Sequence, residues 1–308
     1  LYEAPTNFLE AKWTPGDYAA TLDQLGALLA ELRPEVVVAN TLGNFPMIEA
    51  AARAGIPSVW IIHESYTDAQ MTALHSPFAL ERCRAAFTLT DRALIASHAT
   101  ARLFAGVDAR HTVEVIHNGL EAAAIEDYRA RITPAEAKVL LQEPPGRKRI
   151  TAVGTVCERK GQHTLVEAAA HLRRAGRTDF LVALVGVRDT TDVFVCAAHV
   201  EAFSRSMLEA EAFGLPIVST PCCGADEQVV WGRNAFRIDF GDARALAGHL
   251  NCLLSDDALR ARMGAASRAV YECHLTNTDM LERYERLILN VRQHADMAQA
   301  AVELRRAA

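Results

Sequence analysis

Residues 192–220 read Asp192-Val-Phe-Val-Cys-Ala-Ala-His-Val-Glu201-Ala-Phe-Ser-Arg-Ser-Met-Leu-Glu209-Ala-Glu-Ala-Phe-Gly214-Leu-Pro216-Ile-Val-Ser-Thr220. The pattern is a strand, a loop, a helix, a glycine stop and a second strand. Val193, Phe194 and Val195 form the short apolar run of a strand buried on both faces of a parallel sheet. Met207, Leu208, Ala210, Glu211 and Ala212 favour a helix. Gly214 followed by Pro216 ends it, and Ile217 with Val218 opens the next strand.

Two carboxylates frame the start of that helix. Glu201 lies in the loop after the first strand, and Glu209 lies eight positions on, in the early helical turns. The exposed N–H groups of a helix start form an anion site. Carboxylates beside it would repel a bare phosphate, but they accept hydrogen bonds well from vicinal hydroxyls. A ligand carrying both phosphates and hydroxyls, such as a nucleotide-sugar, satisfies both features. A purely structural reading stands beside this one: Ser206-Met-Leu-Glu209 fits a capping box, with Glu209 as the cap partner.

The chain of 308 residues has length for two domains, and half of it is apolar, ample for ordinary cores. A net charge of -6 leaves no basic surplus for a nucleic-acid partner. It also argues against whole-surface attraction to an anionic membrane. The seven cysteines form no C-x-x-C pair, and read as free thiols of a reducing compartment, mostly small core residues. No apolar run reaches membrane-spanning length and no signal peptide is visible. The expected location is cytoplasmic, with peripheral association at the inner face of a membrane compatible but not indicated.

In the first half, residues 17–32 place Leu22, Leu25, Leu28, Leu29 and Leu32 at helical spacing. Apolar runs at 36–39, 59–62, 93–96 and 113–116 read as strands. Helices are expected at 46–54 and 79–87, and from Ser97, a good N-cap, through Phe104. Residues 66–77 lack periodicity and are expected to be a mobile loop. The 59–62 strand delivers His63-Glu64 at its carboxyl end, where open α/β sheets bind ligands. A histidine hydrogen-bonded within its loop is the plain alternative. His117-Asn118-Gly119 is a turn signal.

In the second half, a strand at 149–153 leads into Gly154-Thr-Val-Cys-Glu-Arg159-Lys160-Gly161-Gln162 and then a helix at 164–173. Strand, glycine, basic pair, glycine, helix is a layout for holding phosphates. It matches neither the P-loop nor the dinucleotide fingerprint. A strand at 180–185 ends at Gly186, and only five residues separate it from the next strand-like segment at Asp192. Consecutive parallel strands need a crossover of about a dozen residues. Asp242 is a plausible cap for a helix at 246–254, another helix covers 256–271, and 278–291 is amphipathic.

The stretch around Glu201 and Glu209 resembles the signature of the retaining GT-B glycosyltransferases of the family-4 type, whose E-x7-E acids flank a glycine-rich turn. The 153–161 segment resembles that family's Val-Gly-Arg…Lys-Gly motif, and His117-Asn118-Gly119 its Pro-Asn-Gly turn. The resemblance implies an α/β GT-B fold, two doubly wound Rossmann-like domains facing across a cleft. Residues 1–135 would be an acceptor-side domain and 136–275 a donor domain, with a helix over 276–308 crossing back. The usual opening strand and Gly-rich loop have no counterpart before Pro15. A helix and strand of the family are expected to be missing between 186 and 192.

The implied reaction moves a sugar from a nucleoside-diphosphate-sugar, UDP- or GDP-linked, to a hydroxyl of a glycan, lipid or small molecule, with retained configuration and neither metal nor cofactor. Glu201 and His63 are the implied catalytic residues, with Glu201 on the sugar hydroxyls. Glu209 would hold the ribose and Lys160 the diphosphate. Arg159, Gly154, Thr155, Phe203, Ser204, Arg205, Ser206, Met207, Leu208 and Gly186 complete the implied donor site. Thr155 replaces the family's arginine, and Ala202 and Ser204 replace its glycines around Phe203. Those replacements suit a non-catalytic nucleotide-sugar-binding or scaffolding subunit. A GT-B epimerase or phosphorylase is a further alternative, although neither extra acid–base carboxylates nor a cofactor lysine is evident.

Overall fold

Short continuous apolar runs become parallel strands here because each strand is covered on both faces. In the computed structural model, residues 13–74, 76–140, 142–184, 191–274 and 276–307 are described. They fall into two units, Leu1–Ile116 with Leu281–Ala308, and His117–Met280.

In the first unit the order is α1 (Pro15–Leu32), β1 (Val37–Asn40), α2 (Phe45–Arg53), β2 (Ser58–Ile62), α3 (Asp68–Leu74), α4 (Pro77–Leu89), β3 (Arg92–Ile95), α5 (His98–Phe104) and β4 (Val113–Val115). The strands form a parallel sheet in the order β1-β2-β3-β4. Helix α1 starts at the Thr14 cap, with Pro15 at its first position, and turns its leucine stripe of Leu22, Leu25 and Leu29 into the core. Trp60, Phe87 and Phe45 fill the centre of that core. Ser97 caps α5 through its hydroxyl, which accepts from Thr100 N–H at 3.1 Å.

The stretch read as a mobile loop instead contains α3. Among the described side chains of this seven-residue helix Met71 is the one in the core, too little for a period to show.

In the second unit come α6 (Ala122–Arg131), α7 (Pro134–Leu140), β5 (Lys148–Ala152), α8 (Gln162–Arg174), β6 (Phe180–Leu184), β7 (Val193–Cys196), α9 (Arg205–Ala212), β8 (Ile217–Ser219), α10 (Ala225–Gln228), β9 (Ala235–Arg237), α11 (Ala243–Ser255) and α12 (Asp257–Tyr271). Helix α13 (Asn277–Ala307) begins in this unit and counts with the first from Leu281. The division falls after Ile116, earlier than the boundary near 135 drawn from sequence. Helices α6 and α7 are tied into the second unit by Glu126–Arg268 and Lys138–Asp192 ion pairs, at 2.5 and 3.2 Å.

The second sheet is parallel in the order β6-β5-β7-β8-β9. Val193 and Val195 enter the core on one face of it, and Phe194 and Cys196 pack on the other, the period-two alternation of a strand. Because β5 lies between β6 and β7, those two strands are not neighbours. Their link of eight residues, 185–192, is too short for a helical crossover, and Gly186 lies outside the described residues.

Gly119 is fixed by close approach: a Cβ there would stand 2.3 Å from the Thr276 carbonyl oxygen. The cysteines are free, but only Cys83 and Cys222 are buried, and Cys252 and Cys273 are exposed. The expectation that most are core residues therefore fails. Burial pushes the Cys83 thiol up to about 12.

Candidate active site

The sheet of the second unit reverses direction at β5 and β7. From β5 the chain crosses to β6 on one side, and from β7 it crosses to β8 on the other. The loops leaving the carboxyl ends of two such strands diverge and leave a crevice, the usual ligand position of an open α/β sheet. The loop after β5 carries Gly154, Thr155, Arg159 and Lys160, and the loop after β7 carries Glu201, Phe203 and Ser204. Strand order alone therefore brings together residues some forty positions apart.

Specific contacts lock the two loops. The Arg159 carbonyl accepts from His199 N–H at 2.8 Å, and Arg159 NH1 donates to the Val200 carbonyl at 2.9 Å. Gly161 has φ +68°, and a Cβ on it would fall 1.9 Å from the Ala197 carbonyl oxygen. No other residue fits there, because both the backbone conformation and the space demand glycine. Gln162, 4% exposed, donates to the Thr155 carbonyl at 3.0 Å and accepts from Cys157 N–H at 3.4 Å. It shapes the loop that precedes it.

At the centre, Lys160 Nζ pairs with Glu201 Oε2, and Arg159 NH1 lies 3.7 Å from the same oxygen. The Lys160 stem runs past Gly154 (φ +137°), where a Cβ would be 3.5 Å from Cε. Thr155 is exposed and brings no charge. The Lys160 and Glu201 side chains are each about one-fifth exposed, so a ligand can reach both.

Ser204 is the N-cap of α9, its hydroxyl accepting from Met207 N–H at 3.3 Å and lying 3.0 Å from Ser206 Oγ. The capping-box alternative is overturned: with Ser204 as the cap, the third helical position is Met207, not Glu209. Glu209 sits half-buried one turn into the helix. Arg205 is exposed at its first position, while Met207 and Leu208 are fully buried. Their side chains face the core, so they offer a ligand only backbone.

Phe203 is 2% exposed and stacks on His117, with centroids 4.7 Å apart, and its carbonyl accepts from Asn118 Nδ2 at 3.0 Å. Gln228 makes a two-point clamp on Ser204: its Oε1 accepts from Ser204 N–H at 2.7 Å and its Nε2 donates to the Ser204 carbonyl at 2.8 Å. Behind it, His274 lies 3.1 Å from the Gln228 carbonyl and 3.3 Å from Glu211 Oε2. Burial holds the Glu211 carboxyl up. His274 is held down by burial, but its bonds to Glu211 win and raise it. Sequence reading missed Gln162 and Gln228. Their only signal is a glutamine predicted inside a buried segment, which needs an amide partner.

His63 belongs to the first unit. It follows β2, its Nε2 lies 2.8 Å from Asn40 Oδ1, and its N–H donates to Glu64 Oε2 at 3.1 Å. Glu64 also accepts from Leu42 N–H at 2.8 Å. The exposed ring is thus tethered at the carboxyl end of the sheet.

Residues 187–270 match the family described as glycosyl transferases group 1, and residues 1–123 match glycosyltransferase family 4. The lipopolysaccharide core biosynthesis glycosyltransferase LpsE of Rhizobium meliloti is 30% identical over 162 residues, 42% of this chain and 44% of that protein. The capsular polysaccharide biosynthesis glycosyltransferase CapM of Staphylococcus aureus is 32% identical over 94 residues, 30% of this chain and 25% of that protein. The chain thus spans less than half the length of these curated relatives. The structure of Anabaena HepE in complex with UDP and glucose superposes with a TM-score of 0.70 at 17% identity, covering 90% of this chain and 83% of that one. That likeness gives the fold. Two glycosyltransferase family models thus match separate parts of the chain, and its two parallel-sheet α/β units have the GT-B fold.

Proposed function

We propose that this chain transfers a sugar from a nucleoside-diphosphate-sugar to an acceptor hydroxyl with retention of anomeric configuration. The observation that carries the reading is the meeting of Lys160 and Arg159 with Glu201 where the second sheet reverses, beside the start of α9. Cations and helix N–H groups suit a diphosphate, and carboxylates suit sugar and ribose hydroxyls. HepE with UDP and glucose, and relatives named as glycosyltransferases, support the same ligand class.

In this reading Lys160, Arg159 and the first N–H groups of α9 stabilise the charge that grows on the departing diphosphate. Their positive charge supplies what a metal would otherwise provide, so no metal or cofactor is invoked. Glu201 orients the sugar and Glu209 holds the ribose. His63 remains the histidine assigned to the reaction centre. The leaving phosphate assists deprotonation of the acceptor, as in the family the chain resembles. The first unit would serve the acceptor.

A second reading, donor binding without transfer, draws on exposed Thr155 in the place of the family's arginine. Incubation with UDP- and GDP-sugars separates the two. Release of the nucleoside diphosphate, with the α- or β-configuration of the donor kept in the product by NMR, is the expected outcome. Donor binding with no turnover would favour the second reading, and an inverted product would refute retention.

A further inference from the structure

The two charges required by the donor reading are bonded to each other. Among the described residues, the Lys160 ammonium has Glu201 as its one partner, and the Glu201 carboxylate has Lys160 and, at 3.7 Å, Arg159. The glycine turn at Gly161 and the Val200 carbonyl hold both cations against this single acid. A diphosphate approaching the 154–161 loop must draw Lys160 away from Glu201 and then lie near a carboxylate compensated only by Arg159 at 3.7 Å.

We infer that Glu201 competes with the diphosphate for Lys160, and so sets the protein's preference for a sugar-bearing donor over the nucleoside diphosphate left after transfer. This inference rests on the proposed function above. A bare nucleoside diphosphate takes Lys160 and leaves Glu201 with Arg159 at 3.7 Å and no direct hydrogen-bond partner in place of Lys160. A sugar-bearing donor takes Lys160 too, but its hydroxyls donate to the freed carboxylate. The same acid that holds the sugar thereby weakens retention of the product. The partial exposure of both side chains lets the exchange take place without opening the core.

The test is calorimetric titration of UDP, GDP and inorganic pyrophosphate into the wild type, Glu201→Gln, and Glu201→Gln combined with Lys160→Met. Glutamine keeps the shape and removes the charge. Circular dichroism checks the fold, and Glu201→Ala carries the same expectation should the glutamine variant fail to fold. The nucleoside diphosphate that binds the wild type should bind Glu201→Gln about tenfold more tightly, the scale of one charged hydrogen bond. The gain should vanish in the double variant, and the corresponding sugar donor, titrated in parallel, should gain less or lose affinity. Equal or weaker binding of the nucleoside diphosphate to Glu201→Gln overturns the inference while leaving the donor site standing. Binding of none of the three probes to any of the proteins overturns the donor site and the inference together.

Discussion

Two carboxylates, Glu49 in the first unit and Glu201 in the second, are both paired with cations yet differ in completeness. Glu49, 4% exposed, accepts from Tyr18 Oη at 2.8 Å, Arg53 NH2 at 2.7 Å, Arg82 Nε at 3.1 Å and Arg82 NH2. Its acceptor capacity is filled from α1, α2 and α4, and its partner Tyr18 packs against the Phe45 and Phe78 rings. Glu201 sits on a loop with one direct cation and one at 3.7 Å. A saturated buried acid holds elements together, and removing it strands its partners. An acid with spare lone pairs and access to water can change partners at small cost. The difference separates a structural ion cluster from a candidate binding site without reference to any motif.

The largest effect is expected from Gly161→Ala, which breaks the seat that puts Lys160 beside Glu201. A methyl group cannot coexist with the Ala197 carbonyl, and φ +68° adds strain. The loss should be on the order of 4–5 kcal/mol, read as a collapse of the urea midpoint or failure to fold. A variant with wild-type stability would show that the two loops are not locked as described.

That glycine also marks the limit of what sequence discloses. The Gly161 position was legible as part of a phosphate-holding layout, but its contact with Ala197 was not, since it depends on β5 and β7 being neighbours. Strands were readable because burial on both faces leaves continuous apolar runs such as 193–195 and 59–62. Caps at Ser97 and Asp242 were readable because a hydroxyl or carboxylate before a helix has one common use. The alternative capping box put a cap at Ser206 whereas the cap is Ser204, because both lie at plausible spacing and only backbone geometry decides. Gln162 and Gln228 escaped because a polar residue gives no period, and the pairing of Lys160 with Glu201 because it spans two crossovers.

Next in size is Glu49→Ala. Breaking a buried, hydrogen-bonded ion cluster costs about 3 kcal/mol, the low end of the usual range, since Arg53 and Arg82 keep access to water. Urea denaturation should show this loss while nucleotide affinity stays unchanged. A fall in affinity equal to that of a site variant would erase the distinction between the two acids.

A smaller effect concerns pH. Both Glu211 and His274 hold their protons more tightly in the folded protein than their ordinary values. This pair thus binds more protons in the folded state, and its contribution to stability falls as pH rises. The His274 contribution is fully present below its ordinary 6.5 and is lost as pH climbs through its raised folded value. Thermal melts from pH 6 upward should show this decline in the wild type and a flatter profile in His274→Gln. Parallel profiles would remove the pair from the account of the α9 support.

The central claim, that the Lys160–Glu201 crevice receives a nucleoside-diphosphate-sugar, is tested most directly by calorimetry. UDP- and GDP-sugars are titrated into the wild type and Lys160→Met. The expected result is saturable binding of at least one donor, weakened about tenfold to a hundredfold in the variant, the worth of a charge-assisted hydrogen bond of roughly 1.5–3 kcal/mol. Equal affinity in the two proteins, or binding of no donor to the wild type, would contradict it.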